Sequence, residues 1–162
     1  MKKINFLKKL SKENKLKAVE PSEEIAKSYI EKSESNLISA KILLENNRLE
    51  ESVSLAYYSM YHILTALFSV TGIKCENHTA SITLLKDIFD IDNKEISFAK
   101  SERIDKQYYT DFSINKQDVI ETIQKSEIFR RKLFDFISKL DAKKINAYKF
   151  KFNELLNLLI KK

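Results

Sequence analysis

The chain has 162 residues, 43% hydrophobic and 32% charged, and its 29 lysines and arginines exceed 23 acids for a net charge of +6; such a length suits one domain with its own core. A single glycine, Gly72, and a single proline, Pro21, argue against turn-rich α/β folds and β-sandwiches and exclude a glycine-rich phosphate cradle. One cysteine excludes a disulfide framework, and two histidines are too few for a closed zinc site.

Residues 1–20 form a basic N-terminal extension, with seven lysines against Glu13 and Glu20. Ile4, Phe6, Leu7 and Leu10 are interrupted by lysines, so no signal-peptide core is present, and a short basic amphipathic helix is open there. Pro21-Ser22-Glu23-Glu24 predicts a helix start, with proline in the first turn and acids at the positive end of the dipole. Ile25, Tyr29, Leu37, Ala40 and Leu44 follow at helical spacing up to Asn46-Asn47. A second helix is predicted from about Leu49 to Thr71, with Gly72 as its left-handed terminator. Its uncharged stretch from Ser52 to Ile73 is 22 residues, about 33 Å as a helix and long enough for a bilayer. Half of those positions are Ser, Thr, Tyr, His or Gly, so the stretch is read as the buried central helix of a bundle and no membrane is expected.

Asn77 can cap a third helix carrying Ile82, Leu85 and Phe89. Asp92 and Glu95 have capping-box spacing for a fourth, reaching at least Arg103. Asn115 or Ser113 can start a fifth, with Val119, Ile123, Phe129, Leu133 and Ile137 on its buried stripe. Beyond Asp141 comes a basic amphipathic helix, 141–162, containing Phe150, Leu155, Leu158 and Leu159. The predicted fold is all-α: an up-and-down antiparallel bundle of about five helices over 21–140, plus the C-terminal amphipathic helix. The basic charge belongs to the two ends, because 1–20 carries +5, 141–162 carries +4, and 21–140 is left at −3. Such ends either neutralise phosphates on RNA or anionic lipid, or merely solubilise the chain. The cytoplasm is the default location.

Few residues can carry chemistry. Cys75 and His78 stand at C-x-x-H spacing, but completing a zinc site would require His62 and carboxylates, so no metal or other cofactor is expected. Tyr57, Tyr58 and Tyr61 fall on neighbouring positions of one helix, and Tyr57 or Tyr58 can stack on Tyr61; with His62 they read as core or dimer interface, or as a base-stacking platform. His78, just after the Asn77 cap, sits near the positive end of a helix dipole, which favours the neutral imidazole able to accept a proton. Arg103, with Asp105, Tyr108 and Tyr109 downstream, forms either a polar phosphate site or a surface ion pair. A five-residue step on a continuous helix turns a side chain by about 140°, so Arg103 and Tyr108 converge only if the helix ends between them.

In order along the chain, these segments resemble the HEPN domain (higher eukaryotes and prokaryotes nucleotide-binding), and within it the small stand-alone prokaryotic proteins. The resemblance runs through the helix Glu31-Lys32-Ser33-Glu34-Ser35-Asn36 to Leu43-Leu44. It continues in Ser54-Leu55-Ala56-Tyr57-Tyr58-Ser59-Met60-Tyr61-His62 with Ala66-Leu67, similar to the family's "AYYAMYHAARALL" helix. Gly72-Ile73-Lys74 and Asn77-His78-Thr79 are similar to its glycine and "K-x-H" segment, and Arg103-Ile104-Asp105-Lys106-Gln107-Tyr108 loosely to "R-x-x-A-D-Y". The resemblance spans roughly 25–140 and implies a helical bundle that commonly dimerises. It also implies RNA or nucleotide binding, often in a toxin–antitoxin-like pair with a nucleotidyltransferase, or a metal-independent endoribonuclease. The family's ribonucleases carry arginine and, four to six residues on, histidine, the two copies facing across a dimer cleft; here Tyr108 stands in the histidine's place. Carried onto this chain, Arg103 binds phosphate, Tyr108 and Tyr109 contact or accept the nucleotide beside Asp105, and His78 is a second polar contact. In the ribonuclease reading Arg103 and His78 are catalytic. A third reading is a dimerisation module without ligand.

Overall fold

The computed structural model describes residues 2–108 and 114–161, with side chains throughout except those of 104–108. Seven helices and one small sheet occur among the described residues: α1 (Lys2–Lys12), β1 (Leu16–Ala18), α2 (Glu23–Glu45), α3 (Leu49–Thr71), β2 (Ile73–Cys75), α4 (His78–Phe89), α5 (Lys94–Tyr108), α6 (Lys116–Ser138) and α7 (Ala142–Lys161). The all-α bundle expected from composition is the fold observed.

The starts of α2, α4 and α6 follow short polar side chains, whereas α3 starts after Arg48 without a side-chain cap. Ser22 Oγ accepts from the Ile25 amide, Asn77 Oδ1 from that of Ala80, and Asn115 Oδ1 from that of Asp118. Pro21 therefore lies before the cap of α2 rather than in its first turn. α5 begins differently from the expected capping box: Asp92 Oδ1 accepts from the Lys94 amide two residues on, and the helix starts at Lys94.

α3 is the centre of the molecule. It packs against α2, α4, α5, α6 and α7, and Tyr57, Met60, Ile63, Leu64 and Leu67 on it are fully buried. It is the one helix among the described residues long and apolar enough to cross a membrane, and 67% of that stretch is buried in the bundle. Its hydroxyls fasten neighbours. Ser33 Oγ donates to the Ser59 carbonyl and Ser59 Oγ to the Ser33 carbonyl, each at 2.7 Å; Ser52 Oγ reaches Ala40 O and Ser126 Oγ reaches Ala56 O. Small side chains let these backbones approach closely, and these four hydroxyls are each satisfied by the facing helix; Ser54 Oγ, also buried on α3, has no partner among the described residues. On α2 the buried stripe is Ala26, Ser33, Leu37 and Ala40, while Ile25, one position round, is 52% exposed.

The sheet has no counterpart in the sequence reading. β1 and β2 pair antiparallel with Leu16 opposite Cys75, Lys17 opposite Lys74 and Ala18 opposite Ile73. Three-residue strands carry too little alternation to be seen by periodicity. Both chain ends join the core: Leu7 and Leu10 of α1 and Phe152 and Leu159 of α7 are buried in the cluster that contains Tyr57 and Leu64. On α7, Phe150 and Leu158 face outward instead.

Candidate functional site

Three helices bring polar and aromatic side chains together beside the middle of α3. Tyr57, Tyr58, Tyr61 and His62 come from α3 itself. The Gly72 turn and β2 lead the chain into α4, whose first residue is His78. α5 packs on α3 and supplies Arg103, with Lys100 one turn earlier.

His78 is the hub. Its Nδ1 is 2.7 Å from the Tyr57 hydroxyl, and its ring stacks on Tyr61 at 3.8 Å between centroids and 12° between planes. It also meets the Tyr58 ring edge-on at 6.2 Å. Arg103 approaches the same tyrosines from α5, its guanidinium carbon 4.7 Å from the centre of Tyr58 and 5.5 Å from that of Tyr57. Arg103 Nε is buried and has no hydrogen-bond partner among the described residues. Lys100 donates to Thr79 Oγ1 at the start of α4. His78 and Arg103 thus meet over shared phenol rings.

The electrostatics follow from burial and from like charges. Burial pushes the His78 pKa down, and Arg103, Lys100 and His62 push it further in the same direction. The imidazole is therefore neutral at pH 7, through desolvation and then cationic neighbours. Burial raises the Tyr57 phenol well above its ordinary range, although Arg103 opposes this. Lys100 is lowered by burial and then by Arg103. The cluster gathers two cations around neutral rings.

A second polar group lies on the α2 side of α3. Asn36 Nδ2 is 2.8 Å from His62 Nδ1, and the His62 ring lies 5.9 Å from Tyr58 and 5.7 Å from Tyr29. Lys32 Nζ sits 5.1 Å from the centre of the Tyr29 ring. Burial, then Lys32, lowers the His62 pKa.

The HEPN domain model matches residues 26–144. The chain belongs to the HEPN domain family. Over 62 residues it is 44% identical to the UPF0332 protein PH1297 of Pyrococcus horikoshii, a stretch covering 38% of this chain and 43% of that protein. The chain therefore matches less than half the length of that relative.

Within the HEPN domain, the residues singled out by sequence divide into two groups. His78, Arg103, Tyr57, Tyr58, Tyr61 and His62 come together; Tyr57 is fully buried, whereas Tyr58, Tyr61 and His62 are partly exposed. Tyr109, together with the side chains of Asp105 and Tyr108, lies outside the described residues. The α5 backbone is helical through Tyr108, so the helix does not end between Arg103 and Tyr108. Among the described residues no group of three His, Cys, Asp or Glu side chains could hold a metal ion; the Cys75 thiol donates to the Asn77 carbonyl at 3.5 Å, and burial raises its pKa. Sequence reasoning missed Asn36, Lys32, Tyr29 and Lys100. A signal existed for two of them: Asn36 interrupts the inward stripe of α2 three residues after Ser33, and Lys100 precedes Arg103 by three, on the same helix face.

Proposed function

We propose that this HEPN protein binds RNA or a nucleotide through a phosphate held by Arg103, His78 and Lys100, as one member of a toxin–antitoxin-like pair with a nucleotidyltransferase in the cytoplasm, and that it works as a homodimer. The observation that supports this most is the shared contact of Arg103 and His78 with Tyr57 and Tyr58. Among the described residues no carboxylate pairs with Arg103. Planar guanidinium and an imidazole N–H suit phosphate oxygens.

The tautomer of His78 favours binding over catalysis. Tyr57 is a neutral phenol whose hydroxyl meets Nδ1 and no other partner among the described residues. A buried phenol in that position donates its proton, which leaves Nδ1 as acceptor and places the ring hydrogen on Nε2. An Nε2–H donates to phosphate oxygen; it does not take a proton from a ribose hydroxyl. The metal-independent endoribonuclease is the second reading, supported by the neutral His78 close to a cation. It needs the opposite tautomer, with Nδ1–H donating to Tyr57 and the Nε2 lone pair receiving the 2′-OH proton as the 2′-oxygen attacks phosphorus, the P–O5′ bond breaks and the 5′-oxygen leaves as an alcohol with a proton from water.

The test is fluorescence anisotropy with a labelled ten-residue oligouridylate, rU10, alongside gel analysis of the same RNA in EDTA. Binding without cleavage, weakening steeply with salt and lost in Arg103→Ala, supports the proposal. Cleavage in EDTA that disappears in both Arg103→Ala and His78→Ala selects the ribonuclease. Wild-type protein that neither binds nor cleaves leaves the dimerisation module.

A further inference from the structure

We infer that the ligand is a strand with at least two consecutive phosphates, the second held by His62 and Lys32 on the α2 side of Tyr58. The inference rests on the phosphate reading of Arg103 and His78 and adds a second anion subsite to it.

His62 repeats the chemistry of His78. In one case a phenol faces Nδ1; in the other the Asn36 amide nitrogen does, at 2.8 Å. An amide N–H₂ can only donate, so His62 Nδ1 accepts and its Nε2 carries the hydrogen. In the phosphate reading both imidazoles act as Nε2–H donors, each with a neighbour on the opposite ring nitrogen. Each also has a cation beside it. Arg103 shares Tyr57 and Tyr58 with His78, and Lys32, one turn before Asn36 on α2, sits over the Tyr29 ring that also meets His62. Lys32 is exposed, and no carboxylate pairs with it among the described residues.

The two donor–cation poles flank one ring. Tyr58 lies 5.9 Å from His62, 6.2 Å from His78 and 4.7 Å from the Arg103 guanidinium carbon. Through Tyr61, ring distances of 3.8 and 6.3 Å leave the two imidazoles no more than about 10 Å apart. A mononucleotide with a single phosphate occupies one pole and leaves the other empty. A phosphodiester chain presents an anion at every nucleotide and can meet both.

Competition against labelled rU10 tests this with two probes of equal phosphate count. Uridine 3′,5′-bisphosphate separates its phosphates across the ribose, whereas UDP keeps them adjacent. The bisphosphate should compete more strongly than UDP against wild-type protein. Lys32→Ala and His62→Phe should each weaken the bisphosphate about tenfold while leaving UDP unchanged, and His62→Gln, which restores a side-chain N–H, should recover most of the loss. For rU10 the slope of log K against log salt should become shallower by about 0.7 in Lys32→Ala, one phosphate contact on a single strand. Equal competition by the two probes, or Lys32→Ala and His62→Phe variants that bind the bisphosphate as wild type does, overturns the second subsite while the Arg103 site stands. A wild-type protein that binds none of the three probes overturns both.

Discussion

Tyr57 and His78 are joined across the α3–α4 junction by a 2.7 Å contact between phenol oxygen and Nδ1, with their rings 5.8 Å apart and inclined by 29°. Because the phenol stays protonated, this contact decides which nitrogen of His78 faces a ligand. Long-range proton–nitrogen NMR on the unliganded protein should show His78 as the Nε2–H tautomer. In Tyr57→Phe the ring loses its fixed tautomer and gives averaged nitrogen shifts. An Nδ1–H tautomer in the wild type would remove the preference for binding over catalysis.

Arg103 lies over the faces of two phenol rings, 4.7 Å from the centre of Tyr58 and 5.5 Å from that of Tyr57. Lysine in its place keeps the charge but loses the planar fork and the stacking. Arg103→Lys should therefore resemble Arg103→Ala more than wild type. Each should weaken rU10 binding by about tenfold or more, the scale of a charge-assisted hydrogen bond of about 1.5–3 kcal/mol. Anisotropy titration at one fixed salt concentration measures it, and full retention of affinity in Arg103→Lys would show that a point charge suffices.

Both histidines are pushed below their ordinary value of about 6.5, mainly by burial and then by Arg103, Lys100 and Lys32. In the window just below about 6.5 the unfolded chain takes up protons that the native chain refuses, so stability falls as pH falls. The exposed carboxylates with lowered pKa, Glu13, Glu51, Glu76 and Asp90, act in a lower window. Melting temperature should drop between pH 7.5 and 5.5, and drop less in a His62→Gln, His78→Gln double variant. Affinity for rU10 should move the opposite way, rising on acidification because an imidazolium attracts phosphate. Opposite signs for stability and affinity over one pH range are the expected signature.

The helices were legible because their signals are local. Ser22, Asn77 and Asn115 are short acceptors before periodic apolar runs, and Gly72 follows the last residue of α3. The meeting of His78 with Tyr57 was not legible, since 21 residues separate them and the turn between depends on the β1–β2 pairing. That pairing brings together 16–18 and 73–75 across the length of two helices, and nothing in either three-residue strand announces a partner. His62 shows the same limit: the His62–Asn36 bond depends on the rotation of α2 against α3, which Ser33 and Ser59 fix from their own side.

Gly72 links that hidden geometry to a single substitution. Its φ is +74°, in the left-handed region, and its amide closes α3 on the Phe68 carbonyl. Its own carbonyl accepts from the Val19 amide at 2.9 Å, tying the end of α3 to the chain after β1. A Cβ at this position would stand 2.6 Å from the Val19 carbonyl oxygen, a backbone atom with no side-chain freedom to withdraw. Gly72→Ala therefore combines left-handed strain of about 1–2 kcal/mol with displacement of the Val19 segment. The lost stability should appear in urea unfolding as a lower midpoint at unchanged m-value. Because β2 carries the chain directly into Asn77 and His78, the folded fraction should also bind rU10 more weakly than wild type. A variant that is destabilised but binds normally would show that α3 and α5 alone set the position of His78.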